Sequence, residues 1–224
     1  MATKYCKEYF SVRDIFPNFM QDDSEDENEN ENENEDENEV EEDTKSNILS
    51  REYYMLNGMK EGECRSYHLD GSLALIVSYV QDKLNGDWKS YNQKGLLVDI
   101  SYFINDKREG LHKRYFNDGN PHIISNYKNG KLDGHYVSYD TNGNLYVDEN
   151  YIDGKHNGLS IKYYQNGSIQ IKKNYINGEM TNQDLFYENG NIQTSYDYET
   201  KEIKIYNEDG TIKEIIDMKD NKKQ

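Results

Sequence analysis

Histidine, cysteine and carboxylate side chains could ligate a metal or carry acid–base and nucleophilic chemistry. The 43 Asp and Glu of the sequence are too abundant for any pair to mark a site, which leaves five histidines and two cysteines. No Cys-x-x-Cys or His-Glu-x-x-His spacing connects them, and no glycine-rich phosphate loop is present. The histidines stand mostly at variable positions, so they are interpreted as solvated sheet residues. The sequence therefore predicts no catalytic residue, no metal site, no cofactor and no enzyme. The residues concerned are His68, His112, His122, His135, His156, Cys6 and Cys64.

Trp88, the only tryptophan, and a basic cluster are two features that have both a structural and a functional interpretation. Trp88 has two interpretations: it packs locally on a sheet, or it anchors an interface, where tryptophan is enriched. The cluster of Lys107, Arg108, Lys113 and Arg114 is either a solvated face or a contact for anionic lipid or acidic protein.

A 24-residue repeat positions these side chains. Five columns of residues keep one register through six copies, and such periodicity is typical of a repeat architecture. The tyrosine column joins Trp88 and the basic cluster in the candidate interaction surface; it is Tyr67, Tyr91, Tyr115, Tyr139, Tyr163 and Tyr187. Two glycine columns are interpreted as structural turn residues: Gly62, Gly86, Gly110, Gly134, Gly158, and Gly71, Gly95, Gly119, Gly143, Gly167. Asn182 and Gly190 take the glycine places in a shortened sixth copy.

Each copy carries two turn signals separated by segments of strand length. One signal is an Asn/Asp-Gly dipeptide such as Asp70-Gly71, whose residues both tolerate positive φ. The other is a Gly/Asp-x-x-x-Gly stretch, and apolar residues between the turns alternate with a period of two. The pattern predicts an all-β fold: an elongated, twisted antiparallel meander of about 12 strands in tandem β-hairpins. The second copy breaks its apolar column at Asp99, for which the sequence offers no physical reason.

The chain divides by composition into four segments. Residues 1–20 form an aromatic segment whose spacing suits a helix face. It is interpreted as a helical or irregular arm that docks on the array, as a frayed terminus, or as a linear motif for a partner. Residues 21–47 are a Glu/Asn-rich linker predicted to be disordered, as a spacer or as a decoy polyanion. Residues 48–218 hold the six copies and a degenerate cap, and residues 219–224 are predicted to fray.

Charge and targeting signals limit the function classes. The formal charge is −17, yet residues 22–43 hold 15 of the 43 acidic residues, which leaves 28 acidic against 26 basic residues elsewhere. No basic stripe dominates the repeats, so nucleic acid is not an expected partner. The absence of a signal-type apolar region and of a run of about 18 apolar residues predicts an intracellular, cytoplasmic protein with reduced cysteines.

The repeat resembles the MORN repeat in its looser second variant. The residues that carry the resemblance are Tyr-x-Asn/Asp-Gly, x-x-x-Gly, then Tyr and Asn/Asp-Gly, clearest over 127–143 and 151–167, and it covers about residues 53–198. The resemblance implies a hairpin array that serves as a non-catalytic scaffold or protein-binding module. It also implies two alternatives, a membrane-associated module for anionic phospholipid and an antitoxin-like inhibitor. Asp82, Asp106 and Asn182 replace glycines of the pattern and are expected to adopt similar turn geometry.

Overall fold

The computed structural model describes residues 3–11 and 45–219, and within these ranges every regular element is a β-strand. Seventeen strands form one open antiparallel sheet, which confirms the predicted all-β hairpin meander. The strands are β1 Lys4–Ser11, β2 Lys45–Leu56, β3 Met59–Lys60, β4 Gly62–Tyr67, β5 Leu73–Val80, β6 Lys83–Tyr91, β7 Leu97–Ile104, β8 Lys107–Tyr115, β9 Pro121–Lys128, β10 Lys131–Tyr139, β11 Leu145–Ile152, β12 Lys155–Tyr163, β13 Ile169–Ile176, β14 Glu179–Phe186, β15 Ile192–Asp197, β16 Glu202–Tyr206 and β17 Ile212–Asp217.

Each strand pairs with its neighbour in the sequence, from β1 against β2 to β16 against β17. The short strands β3 and β4 both pair with β2 and act as one interrupted strand. The six copies correspond to the hairpins β4–β5, β6–β7, β8–β9, β10–β11, β12–β13 and β14–β15, and β16–β17 is the degenerate seventh.

A two-residue tight turn joins each of the first five copies to the next, and a four-residue turn, residues 198–201, joins the sixth to the degenerate seventh. Strand residues Val80 and Lys83 pair directly, and Gln81 and Asp82 between them have φ of 50° and 65°. Positive φ at both central residues is the geometry of a type I′ turn, which matches the twist of antiparallel strands. Asp106 has a φ of 66°, so the expectation that Asp82 and Asp106 substitute for glycine in the turn agrees with the backbone.

A longer turn that ends in a glycine bulge joins the two strands within each copy. In the first copy the Gly71 N–H donates to the His68 carbonyl at 2.9 Å, and Gly71 has a φ of 82°. Asp70 contributes its side chain instead of a positive φ: its carboxylate accepts the Ser72 N–H at 2.9 Å. The sequence pattern of Asx-Gly therefore marks a side-chain-capped bulge turn here, whereas the type I′ turn uses the other signal.

The first glycine column lies in strand bulges rather than in turns. Gly86, for example, lies inside β6, where the register shifts between Val77 and Tyr79 of β5. Its φ is 118°, and a Cβ there would lie 2.9 Å from the Cβ of Ser78. Glycine is required at this position because the bulge brings the neighbouring strand too close for any side chain.

The sixth copy loses its extra residue in this bulge and not, as the sequence suggested, after Tyr187. Strand β14 has eight residues where β12 has nine, and a single residue bulges between Met180 and Asn182. Asn182 therefore pairs with Asn174 as an ordinary strand residue, so the expectation that it replaces a glycine is wrong. The equivalent of Tyr163 is Phe186, which pairs with Ile192 across the turn, and Tyr187 lies in the turn itself.

The N-terminal arm forms strand β1, so the helical interpretation is wrong for residues 4–11. β1 covers the outer edge of β2, with Tyr53 donating to the Glu8 carboxylate at 2.9 Å and Arg51 pairing with the same carboxylate. Pairing with a free sheet edge outweighs a helical spacing that is too short to be stable alone. β2 begins at Lys45, three residues inside the predicted linker, and the remaining linker, residues 12–20 and residues 220–224 lie outside the described residues.

Successive copies are joined by hydrogen bonds along the tight-turn margin of the sheet. The backbone N–H of Gly130 donates to the Arg108 carbonyl at 2.9 Å, and Gly154 donates to Leu132 at 2.7 Å. The N–H of Asn129 also donates to the Glu109 carboxylate at 2.7 Å. Each tight turn thus satisfies its polar groups on the strand of the preceding copy.

Candidate binding surface

The two faces of the sheet differ in what their side chains bury. On one face a row crosses the array through the register pairs Cys64–Val77, Val77–Trp88, Trp88–Ser101, His112–Ser125, Ser125–Tyr136 and Tyr136–Glu149. We call this the Trp88 face. The other, the Lys113 face, carries Lys89, Ile100, Lys113 and Ile124 in register. Since the described strands form a single sheet, a side chain is buried by its neighbours on the same face, and the core is thin.

Asp99 on the Trp88 face is buried and is surrounded by hydrogen-bond donors. Its carboxylate accepts from His112 Nε2 at 3.1 Å, from Arg114 Nε at 3.2 Å and from the Ser101 hydroxyl at 3.2 Å. His112 Nδ1 lies 3.1 Å from the Ser125 hydroxyl. Because an ionised carboxylate only accepts, His112 Nε2 carries a proton, and in the neutral ring Nδ1 accepts from Ser125. These donors give the physical reason for Asp99 in an otherwise apolar column.

The ionisation of Asp99 reflects a competition between burial and these donors. Burial by itself raises the pKa of a carboxyl, but the hydrogen bonds that His112 and Arg114 donate, together with their electrostatic attraction, outweigh it. The pKa of Asp99 is therefore held below its ordinary value of 3.8, and the group is a carboxylate at neutral pH. A paired buried carboxylate of this kind also makes the free energy of unfolding fall as the pH drops into the acid range.

The connected Ser125, His112 and Asp99 have the residue types of a hydrolase triad but not its accessibility. Ser125 is 0% exposed, so no substrate carbonyl can reach its hydroxyl, and a nucleophile must be reachable. His112 is 4% exposed, so its interpretation as a solvated sheet residue is wrong. It is buried because Asp99 and Ser125 satisfy both of its ring nitrogens. The network therefore holds the side chains of this face in position.

A second row on the Trp88 face alternates aromatic rings with interleaved side chains. Arg108 lies between Phe103 and Tyr127, with its guanidinium carbon 5.5 Å and 4.9 Å from the two ring centres. His156 lies in the same way between Tyr151 and Tyr175, at 4.3 Å and 4.8 Å. Arg108 Nε and His156 Nδ1 are buried and have no hydrogen-bond partner among the described residues. The rings hold Arg108 by cation–π contact without using its donors.

A shallow pocket of about 280 Å³ opens on the Trp88 face beside Asp99. Trp88, whose ring packs at 5.6 Å against Phe103, lines it together with Arg108, Arg114 and Tyr115. The Arg114 side chain is 52% exposed and uses Nε for Asp99, which leaves its Nη groups to a ligand. The pocket thus combines an aromatic wall, two guanidinium groups and a buried carboxylate.

The structure divides the candidate residues that were predicted from the sequence. Trp88, Arg108, Arg114 and Tyr115 meet in the pocket, whereas Lys107 and Lys113 pair with Ile104 and Ile100 on the Lys113 face. The basic cluster is thus two pairs on opposite faces, because residues alternate along β8. None of the other five tyrosines of the column lines the pocket: Tyr67, Tyr91, Tyr139 and Tyr163 end their strands, and Tyr187 begins the bulge turn.

Sequence reasoning missed Asp99, Ser101, His112 and Ser125 as a connected group. A signal was present: Asp99 interrupts an apolar column, and His112 and Ser125 follow at successive spacings of 13 residues. Residues 13 apart lie opposite each other only for particular lengths of the turn and the bulge between them, and the sequence alone does not give those lengths.

No group of three or more His, Cys, Asp or Glu side chains in a metal-binding arrangement occurs among residues 3–11 and 45–219. Cys6 and Cys64 are free thiols. Within the same ranges no helix of a length and hydropathy that could cross a membrane occurs.

The fold and its face define a tandem β-hairpin repeat protein. The family model of the MORN repeat variant matches four stretches, residues 60–81, 108–129, 132–153 and 157–177. The last three coincide with the hairpins β8–β9, β10–β11 and β12–β13, and the chain belongs to the MORN-repeat proteins. No curated protein matches it. MORN repeats generally form protein-binding or membrane-binding modules, and they are a non-catalytic type of repeat.

Proposed function

We propose that the chain is a non-catalytic protein-binding and scaffolding module whose contact surface is the Trp88 face. The observation that supports this proposal is the pocket, which Trp88, Arg108, Arg114 and Tyr115 line together. Tryptophan, tyrosine and arginine are the residues that most often dominate binding energy at protein interfaces. The buried Ser125 hydroxyl and the network around Asp99 favour recognition over catalysis.

Site-specific photo-crosslinking in the full chain tests which face binds protein. A photoreactive benzoylphenylalanine replaces Tyr115 in the pocket or, as a matched control, Tyr102, an exposed tyrosine that pairs with Asp87 on the Lys113 face. Both changes keep an aromatic ring, so both variants should fold. We expect saturable crosslinks to one or a few proteins from position 115 and none of these from position 102. Identical products from both positions, or no protein product from position 115, would contradict the proposal.

A specific pattern on the tight-turn margin favours a second candidate function, contact with an anionic membrane. Exposed aliphatic residues stand at four of the five equivalent positions beside the two-residue tight turns between copies, with Lys128 at the fifth, and each pairs in register with a lysine or a glutamate. The aliphatic residues are Val80, Ile104, Ile152 and Ile176, which are 41%, 44%, 56% and 58% exposed, and their partners are Lys83, Lys107, Lys155 and Glu179. Exposed aliphatic and basic side chains together suit an interface with anionic lipid.

Vesicle flotation separates this candidate from the first. The full chain and an Ile104→Glu/Ile152→Glu variant are mixed with neutral vesicles and with vesicles that contain anionic lipid. Membrane contact through this margin predicts flotation only with anionic lipid, and its loss in the variant. Equal flotation of both proteins, or none with either vesicle, would remove the candidate.

A further inference from the structure

We propose that the pocket between Trp88, Arg108, Arg114 and Tyr115 receives the carboxylate of an aspartate or glutamate side chain from an acidic segment of a partner protein. This inference rests on the proposed function and names the chemistry that the Trp88 face recognises.

The pocket offers guanidinium donors which the chain does not use. Arg108 lines the pocket, and among the described residues its guanidinium contacts two aromatic rings but forms no hydrogen bond. Its Nε is buried and out of reach of a ligand, so its Nη groups are the donors that a ligand can meet. Arg114 donates through Nε to Asp99, and its half-exposed side chain leaves the two Nη groups on the side away from that bond. A planar pair of N–H groups fits the two oxygens of a carboxylate.

The guanidinium groups of both arginines are also held in position before any ligand arrives. The rings of Phe103 and Tyr127 hold the Arg108 guanidinium on both sides. Asp99 holds Arg114, and His112 and Ser101 hold Asp99 in turn. A donor that is fixed in advance loses little conformational entropy on binding, so a single carboxylate can be recognised.

The net charge of the groups that line the pocket suits a monoanion. Arg108 and Arg114 contribute two positive charges, and the buried carboxylate of Asp99 cancels one of them. The remaining single charge matches a carboxylate, whereas a phosphate monoester carries between −1.5 and −2 at neutral pH and would face Asp99 uncompensated. The volume of about 280 Å³ suits one side chain, and Trp88 with Tyr115 provides apolar area for its neighbours in a peptide.

The intrinsic fluorescence of Trp88 tests the inference directly, because it is the only tryptophan and lines the pocket. The full chain is titrated with three acetylated and amidated peptides, Gly-Ser-Glu-Ser-Gly and its glutamine and phosphoserine counterparts. We expect a saturable change in Trp88 emission with the glutamate peptide at about 1 mM, and binding about tenfold weaker or more for the other two.

Three variants locate the site. Arg114→Gln removes the planar donor pair, and Arg108→Leu installs the residue that stands at the equivalent positions Leu84 and Leu132, so it should fold. Each should weaken binding of the glutamate peptide about tenfold or more. Lys113→Gln makes the same charge change next in sequence but on the Lys113 face, and it should leave the affinity within about twofold.

Several outcomes would overturn the inference: equal binding of the glutamate and glutamine peptides, tighter binding of phosphoserine, equal weakening by Lys113→Gln, or no saturable change up to about 10 mM peptide. Crosslinks from position 115 that persist unchanged in Arg114→Gln and Arg108→Leu would also overturn it while leaving the proposed function standing. With both arginines intact, identical crosslinks from positions 115 and 102, or none from position 115, would instead contradict the proposed function, even if the peptide titration succeeded.

Discussion

Strands β6–β9 and strands β10–β13 are the same two hairpins displaced by 48 residues, yet their carboxylates, the buried Asp99 and the half-buried Glu149, accept hydrogen bonds from different kinds of donor. In the first region Asp99 is held by the ring of His112 and the guanidinium of Arg114. In the second, Glu149 accepts from the Tyr151 hydroxyl at 2.7 Å and the Ser160 hydroxyl at 2.9 Å. One carboxylate is thus paired with charge-bearing groups, and the other with neutral hydroxyls.

The interleaved row differs in the same sense. Arg108 in the first region and His156 in the second occupy equivalent places between two aromatic rings, and each has a buried nitrogen without a described partner. Arginine keeps its charge at any physiological pH, whereas a neutral imidazole offers no positive group to a ligand. If the proposed carboxylate site is correct, the same backbone frame provides an anion pocket only where arginine and an anchoring carboxylate coincide.

The largest expected effect comes from removing Asp99. Asp99→Ile, which copies Ile123 of the next hairpin, leaves His112 and Arg114 without their acceptor and should cost about 3 kcal/mol. The triple variant Asp99→Ile/His112→Tyr/Arg114→Ser copies all three residues of the next hairpin and should recover most of that loss. Glu149→Ser should cost only about 1 kcal/mol, because hydroxyls can turn to other partners. Urea unfolding followed by Trp88 emission and circular dichroism measures each, and a triple variant no more stable than the single one would refute the pairing argument.

A smaller difference in the loss of stability is expected when the equivalent bulge glycines Gly86 and Gly134 are replaced by alanine. Their φ values are 118° and 110°, but an added Cβ lies 2.9 Å from Ser78 Cβ in one case and 3.3 Å from Asn126 Cβ in the other. Gly86→Ala should cost about 2–4 kcal/mol, from the strained φ and a clash between strands. Gly134→Ala should cost about 1–2 kcal/mol, mainly from φ. Equal losses in thermal unfolding would show that the close approach to Ser78 is not a source of the requirement.

The two regions should respond to opposite ends of the pH scale. The pKa of Asp99 is lowered in the folded state, so its stabilisation is present above the ordinary value of 3.8 and is lost as the pH falls through the folded value. Burial and the bond to Glu149 raise the pKa of Tyr151, so its stabilisation is present below 10.0 and declines at higher pH. Asp99→Asn should flatten the acid side of the stability profile and Tyr151→Phe the alkaline side. Urea midpoints between about pH 3 and pH 11 measure both, and a reversed assignment would contradict the two networks.

The smallest effect is expected from the unpartnered nitrogens. His156→Leu copies Leu84 and Leu132 and relieves a buried Nδ1, so it should stabilise the fold by about 1 kcal/mol. It should not alter the response of Trp88 to the glutamate peptide, whereas Arg108→Leu should weaken binding of that peptide about tenfold or more at a similar stability. Denaturation and peptide titration on the same samples check both parts. A weaker peptide response in His156→Leu would mean that the two regions do not act separately.

The local patterns of the sequence were sufficient for the fold but not for the site. Alternation with a period of two and the repeated glycine signals predict hairpins, because both act over a few residues. The group around Asp99 depends on which residues lie opposite each other across strands. That register shifts at every bulge, and the bulge at Gly86 was interpreted as a turn.

The prediction of a helix in the N-terminal arm was wrong for a different reason. The spacing of Tyr5 and Tyr9 suits a helix, but the open edge of β2 offers backbone hydrogen bonds that no local pattern can anticipate. Lys113 and Arg114 illustrate the same limit at the surface: neighbours in the sequence, they lie on opposite faces of the sheet.

The hydrogen bonds from each tight turn to the preceding copy bear on how such a chain can change its length. Every internal copy donates through its turn and accepts through its strand, as Gly130 does to Arg108 and Gly154 to Leu132. Duplicating or deleting exactly one 24-residue copy would therefore recreate the same junction, while an insertion of half a copy would leave a turn without acceptors. The array can lengthen during evolution by whole hairpins around a pocket that only one stretch of it carries.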